Sequence, residues 1–127
     1  MADAQEAEPG TVMVLDELGK LRQSVQAYDR KVAGVVSGAG SFKSGIVLDK
    51  QDSRSGRSPL ALVGKVYCKV DANHSPIEVG DLLTTSDTPG HAMKAGDSSR
   101  AFGAVIGKAL RSLSSGQALI SILVALQ

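Results

Sequence analysis

The side chains best suited to chemistry in this 127-residue chain are two histidines, one cysteine, and aspartates and serines scattered among glycines. His74 lies in ANHSP (72–76) and His91 follows Pro89 and Gly90, so both fall in turns, where an imidazole is solvated. Neither belongs to an HxH or HExxH spacing, the arrangement that brings two imidazoles onto one metal. Cys68 sits in KVYCK (65–69), and strand alternation puts it on one face with Val66 and Val70. There it reads as a small buried hydrophobe, not a nucleophile, and a lone cysteine makes neither an internal disulfide nor a thiolate zinc site. None of Ser37, Ser41, Ser44, Ser53, Ser55, Ser58, Ser98, Ser99, Ser114 and Ser115 occupies a GxSxG elbow. The loop Gly38-Ala39-Gly40 lacks the GxGxxG and GxxxxGK[ST] patterns that cradle phosphate. Asp81, Asp87 and Asp97, with Asp16 and Asp29 in similar places earlier, have the chemistry for acid–base work or Ca²⁺. Beside Gly and Thr, however, aspartate is first a turn former. No residue is therefore assigned a catalytic, metal-binding or cofactor-binding role, and no cofactor is expected.

The elements that carry these residues read as short strands. Val12 to Leu15 (VMVL), preceded by Thr11, is a β-branched run stopped by a turn at Asp16 to Gly19, with Lys20 to Ser24 as the return strand. Val32 to Val36 and Gly45 to Asp49 are further strands, and Leu60 to Val70 is the longest, with Gly64 as a bend. Asp81 to Thr85, Ala92 to Ala95, Phe102 to Ile106 and Leu119 to Leu126 complete the set. Ser24 to Lys31 and Asp97 to Arg100 have room for a helical turn, the second capped by Asp97 or Ser98. Strand signals every 8–12 residues predict an all-β fold, a compact barrel or sandwich. Residues 1–9 read as a flexible acidic tail before a single β domain over 10–127. The polar stretch from Asp49 to Ser58 reads as a surface loop open to trypsin.

Composition narrows the function classes. Apolar residues make up 43% of the chain, enough for a core, but aromatics only 3%, so elements must approach closely rather than pack around large anchors. With 14 Lys+Arg against 13 Asp+Glu there is no basic footprint for nucleic acid or an anionic membrane. No apolar run approaches the roughly 18 residues of a membrane span, and the acidic N-terminus has no signal-peptide apolar region.

The chain also repeats itself. GTVMVLDELG…YDRKVAGVV from Gly10 and GDLLTTSDTPG…SSRAFGAVI from Gly80 each run strand, Gly-containing turn, polar stretch ending at Arg, then a small-residue strand. Aligning them pairs Gly10 with Gly80, Arg30 with Arg100, Gly19 with Gly90 and Gly34 with Gly103. The expectation is a duplicated β-unit, over about 10–40 and 80–110, with Gly34 and Gly103 at close strand approaches.

Four segments carry a resemblance: YDRKVAGVVSG (28–38), LVGKVYCKVD (62–71), IEVGDLLTTSDTPGHA (77–92) and FGAVIGKAL (102–110). Together, over about residues 10–126, they resemble the C-terminal modules of phage appendage and bacterial fibre-like proteins of the peptidase G2 family, the autoproteolytic intramolecular-chaperone domains. That resemblance implies a β-rich domain, assembly as a trimer and a role in registering the chains of a stalk, with self-cleavage in some members. No catalytic motif of the family maps onto this chain. From the residues themselves, the last strand has two mostly apolar faces. One holds Ile120, Ile122, Val124 and Leu126, and it is expected to meet another subunit. The reading is a non-enzymatic homo-oligomeric assembly module, a trimer by preference. The alternatives are a self-cleaving peptidase and a β-barrel binding a small molecule or carbohydrate.

Overall fold

A computed structural model describes residues 8–37, 46–48 and 60–126. Gly38 to Gly40 and the Asp49 to Ser58 stretch lie outside the described residues, as do positions 1–7 of the N-terminal lead-in. The chain is nearly all β, as its alternation and turn residues require. The strands are β1 (Val12–Leu15), β2 (Leu21–Gln23), β3 (Val32–Val36), β4 (Ile46–Leu48), β5 (Leu60–Asp71), β6 (Leu82–Thr85), β7 (Ala92–Lys94), β8 (Val105–Ala109) and β9 (Gln117–Ala125). One helical turn, α1 (Ser98–Ala101), starts where Asp97 accepts the Ser99 and Arg100 N–H groups. No helix forms between Ser24 and Lys31.

Five strands close on themselves. β5 pairs with β7 in parallel, and β7–β6, β6–β8, β8–β9 and β9–β5 are antiparallel. β1, β2, β3 and β4 lie outside this ring, attached where β3 and β4 pair with the start of β5. β8 begins at Val105 rather than at Phe102. The sequence placed it early because FGAVI is uniformly apolar, whereas Phe102 and Gly103 are the exposed exit from α1.

The barrel interior is Val66, Cys68 and Val70 of β5, Leu83 of β6, Ile106 and Ala109 of β8, and Ile120, Ile122 and Val124 of β9. A second, small cluster of Met13, Val36 and Leu60 sits under the strands outside the ring. Both cores are aliphatic. Of the described aromatics, Tyr67 and Phe102 are exposed and Tyr28 is half-buried.

The repeat is visible in the hydrogen bonds. Gly10 and Gly80, at φ +90° and +94°, donate 2.8 Å bonds to Val36 and Ala109. Ser24 donates to Val12 at 2.9 Å and Ala95 to Leu82 at 2.8 Å. In the ladders, Met13 faces Gly34 with a register break before Val14, and Leu83 faces Gly107 with the same break before Thr84. The glycine equivalent to Gly34 is therefore Gly107, not Gly103. A Cβ on Gly34 would lie 2.5 Å from the Ala61 carbonyl, and one on Gly107 would fall on the carbonyl of Leu123. A Cβ on Gly103 would meet only the stem of Arg30, at ordinary contact distance. Each unit thus reserves a glycine where its last strand crosses the next one, β3 against β5 and β8 against β9.

Gly107→Ala is expected to lower stability by about 3 kcal/mol or to prevent folding, because the colliding atoms are backbone and cannot rotate away. Gly96→Ala, with open space around its Cβ, is expected to stay within about 0.5 kcal/mol of the wild type in chemical denaturation.

Candidate interaction surface

The residues singled out for chemistry are held in structural roles. The Asp16 carboxylate accepts the Leu18 and Lys20 N–H groups, Asp29 that of Lys31 and Asp81 that of Glu78. Asp97 caps α1, and Asp87 lies 3.3 Å from His74 Nε2 on the surface. His91 Nδ1 sits 2.8 Å from the Pro89 carbonyl oxygen. The Ser86 hydroxyl goes to the backbone carbonyls of His91 and Thr88 rather than to an imidazole. Among the described residues, no group of three or more His, Cys, Asp or Glu is placed to hold a metal ion.

Cys68 is fully buried on the inner face of β5, as its alternation with Val66 and Val70 requires. Burial pushes its thiol up to about 12, against a small opposing effect of the Lys69 charge. With so little thiolate, a thiol reagent at mild pH is expected to label the folded chain about 1,000-fold more slowly than the denatured chain. Rapid labelling without denaturant would show instead that β5 and β9 separate readily.

Nothing in the sequence singled out Asp71. It is 3% exposed, at the end of β5, where three loops meet. Its carboxylate accepts the Thr88 hydroxyl at 2.6 Å and the Asn73 N–H at 2.8 Å, with the Gln117 amide at 3.5 Å. Asn73 in turn accepts the Gly116 N–H at 2.9 Å. Burial disfavours the charged form, but the bonds from Thr88 and Asn73, helped by His74 and His91, hold the carboxyl below its ordinary value. A depressed carboxyl stabilises the fold above its unfolded value, about 3.9, and that contribution is lost as pH falls through the folded one. Asp71→Asn is expected to cost about 1–3 kcal/mol at neutral pH. The deficit relative to the wild type should shrink in melts below about pH 4.

The last strand inverts the face expected for it. Ile120, Ile122 and Val124 point into the barrel and are buried by their own chain, and Leu126, past the strand's end, is partly exposed. The first three are filled positions of the chain's own core, and Ile122 and Val124 offer no surface to a partner. The other face of β9 points outward, with Leu119 52% and Leu123 39% exposed. Cross-strand pairing extends it. Leu123 stands between Lys65 of β5 and Lys108 of β8, with Leu82 of β6 beyond Lys108. Leu119 stands opposite Lys69, and Ser121 opposite Tyr67, which is 42% exposed. Val63 and Ala125 continue the wall. Lys69 reaches Glu8 at 2.6 Å. Tyr67, Leu119, Ile120, Ser121, Arg111 and Ser112 line a cleft of about 310 Å³ on this wall.

The wall is thus a sheet surface on which apolar side chains alternate with lysines, on strands fixed by a continuous nine-residue register between β5 and β9. Its chemistry suits docking rather than catalysis. Apolar side chains on a rigid sheet bury area at no ordering cost to the backbone. Comparison with protein-family models, curated proteins and solved structures finds no match to this chain.

Proposed function

We propose that this chain is a non-enzymatic assembly module that binds copies of itself, three by preference, through the outer wall of β5, β9 and β8. The observation that carries this reading is the second apolar face of β9. The inner face supplies the core, so Leu119 and Leu123 are not required for it, yet they stand exposed in cross-strand rows shared with Lys65, Lys69 and Lys108, on a face that also holds Tyr67, Val63 and Leu82. Rows of this kind on a rigid sheet are characteristic of contact surfaces. The resemblance of GDLLTTSDTPGHA (80–92) and GAVIGKAL (103–110) to fibre-associated modules favours the same reading and supplies the preference for three copies.

Light scattering at micromolar concentration is expected to give about three times the 13.1 kDa of one chain. Leu123→Glu should lower the mass towards that of one chain with an unchanged β spectrum, weakening association tenfold or more, about 1.4 kcal/mol. Ile122→Asp should instead unfold the barrel, because a fully buried carboxylate with no partner costs several kcal/mol. A wild-type chain that runs as a clean monomer would overturn the proposal.

A further inference from the structure

The arginine that ends the polar stretch of each repeat, Arg30 in the first and Arg100 in the second, turns out to line one cleft. Tyr28, Ser99 and Phe102 complete a lining of five residues around about 310 Å³. None of the five belongs to the wall of β5, β8 and β9, so the cleft is independent of the assembly reading.

Local hydrogen bonds and packing set the arrangement of these residues. Tyr28 has a backbone φ of +56°, a conformation an L-residue adopts only when its surroundings impose it. Here its N–H donates to the Thr85 carbonyl at 3.2 Å, the neighbouring Asp29 N–H donates to the Thr85 hydroxyl at 2.7 Å, and its own hydroxyl accepts the Asp97 N–H at 3.0 Å. The ring so fixed lies under the guanidinium of Arg100, 4.5 Å from Cζ to the ring centroid. A guanidinium over an aromatic ring has N–H donors that can take an oxyanion through two parallel bonds. The stem of Arg30 runs past Gly103, its Cδ 3.6 Å from where a Cβ would stand. The carboxylate of Asp97 is engaged at the start of α1, where Oδ1 accepts the Ser99 N–H, the Ser99 hydroxyl and the Arg100 N–H. Phe102 is 86% exposed, in a chain whose aromatics are 3% of its residues. An exposed aromatic side chain in a cleft that two arginines also line offers stacking to a ring and charge to its substituent.

We propose that the cleft of Tyr28, Arg30, Ser99, Arg100 and Phe102 binds an oxyanion, carboxylate or phosphate, carried on a ring of monosaccharide size. The two arginines take the anion and Phe102 takes the apolar face of the ring. A neutral ring of the same size forfeits the charge-assisted bonds and binds far more weakly.

The test is an amide-resolved NMR titration of the full chain with glucuronate, glucose 6-phosphate and glucose. Saturable shifts at Arg30, Ser99, Arg100 and Phe102 are expected with at least one of the anions, with a Kd on the order of 1 mM for a ligand of this size. Glucose should give none. A response to glucuronate alone or to glucose 6-phosphate alone would support the site and identify the anion. Arg30→Gln and Phe102→Ala should each weaken binding about fivefold or more. Arg100→Gln should do the same, and Arg100→Lys should recover part of it. The spectra report whether each variant is folded. Should Arg100→Gln disturb the Tyr28 stack, Arg30→Gln and Phe102→Ala decide the question alone. No saturable shift with either anion up to about 20 mM, well above the expected Kd, would overturn the proposal. So would shifts as large with glucose, or affinities unchanged in Arg30→Gln and Phe102→Ala.

Discussion

The fold depends on one strand having more partners than a strand ordinarily holds. β5 is twelve residues long, and its neighbours change along its length. Its first residues pair with β3 and β4, the stretch from Val63 to Asp71 pairs with β9, and Val70 meets β7 in parallel. Gly64, at φ +100°, stands at the changeover, where a side chain would resist the backbone conformation. The barrel closes because β5 supplies both of its last two edges, and the strands outside the ring are anchored to the same chain segment. Asp71 ties the end of that strand to the turn at Thr88 and to the start of β9, and so fixes the geometry where the ring closes.

The two repeats are alike inside and unlike in their surroundings. Both form the same three-stranded unit with the same register break and the same glycine opposite its first strand. One unit lies within the ring, between β9 and β5. The other stands outside it, and among the described residues β2 pairs only with β1. Equivalent residues therefore meet different fates. Leu83 fills the barrel, whereas Met13 fills the small second cluster. Close packing without aromatics works in both because a glycine at each strand crossing lets backbones approach, and dispersion between aliphatic side chains does the rest.

An aliphatic core leaves the described aromatic side chains to the surface or its margin, and each lines one of two clefts. Tyr67 borders the cleft on the wall that includes β9, and Tyr28 and Phe102 form the arginine-lined cleft. The wall suits a protein partner and the cleft a small anion.

Local physics made much of this legible in the sequence. Alternation, β-branched runs and Gly or Asp turns identify the strands, and the burial of Cys68 follows from its place between Val66 and Val70. The capping of α1 by Asp97 and the duplication itself are likewise written in short stretches. What the sequence left open are choices between locally equal options. Both faces of β9 are mostly apolar, so only closure of the ring decided that Ile120, Ile122 and Val124 face inward and Leu119 and Leu123 outward. FGAVIG holds two glycines within five residues, so only the ladder showed that Gly107, not Gly103, is the partner of Gly34. Asp71 looked like any strand-end aspartate until Thr88 and Gln117, far along the chain, were brought to it. Arg30 and Arg100 stand at matching places in the two repeats, but their meeting at one cleft is a consequence of tertiary folding. Contacts across such separations are set by which strands pair, and pairing is decided by the packing of the whole barrel, not by any segment of it.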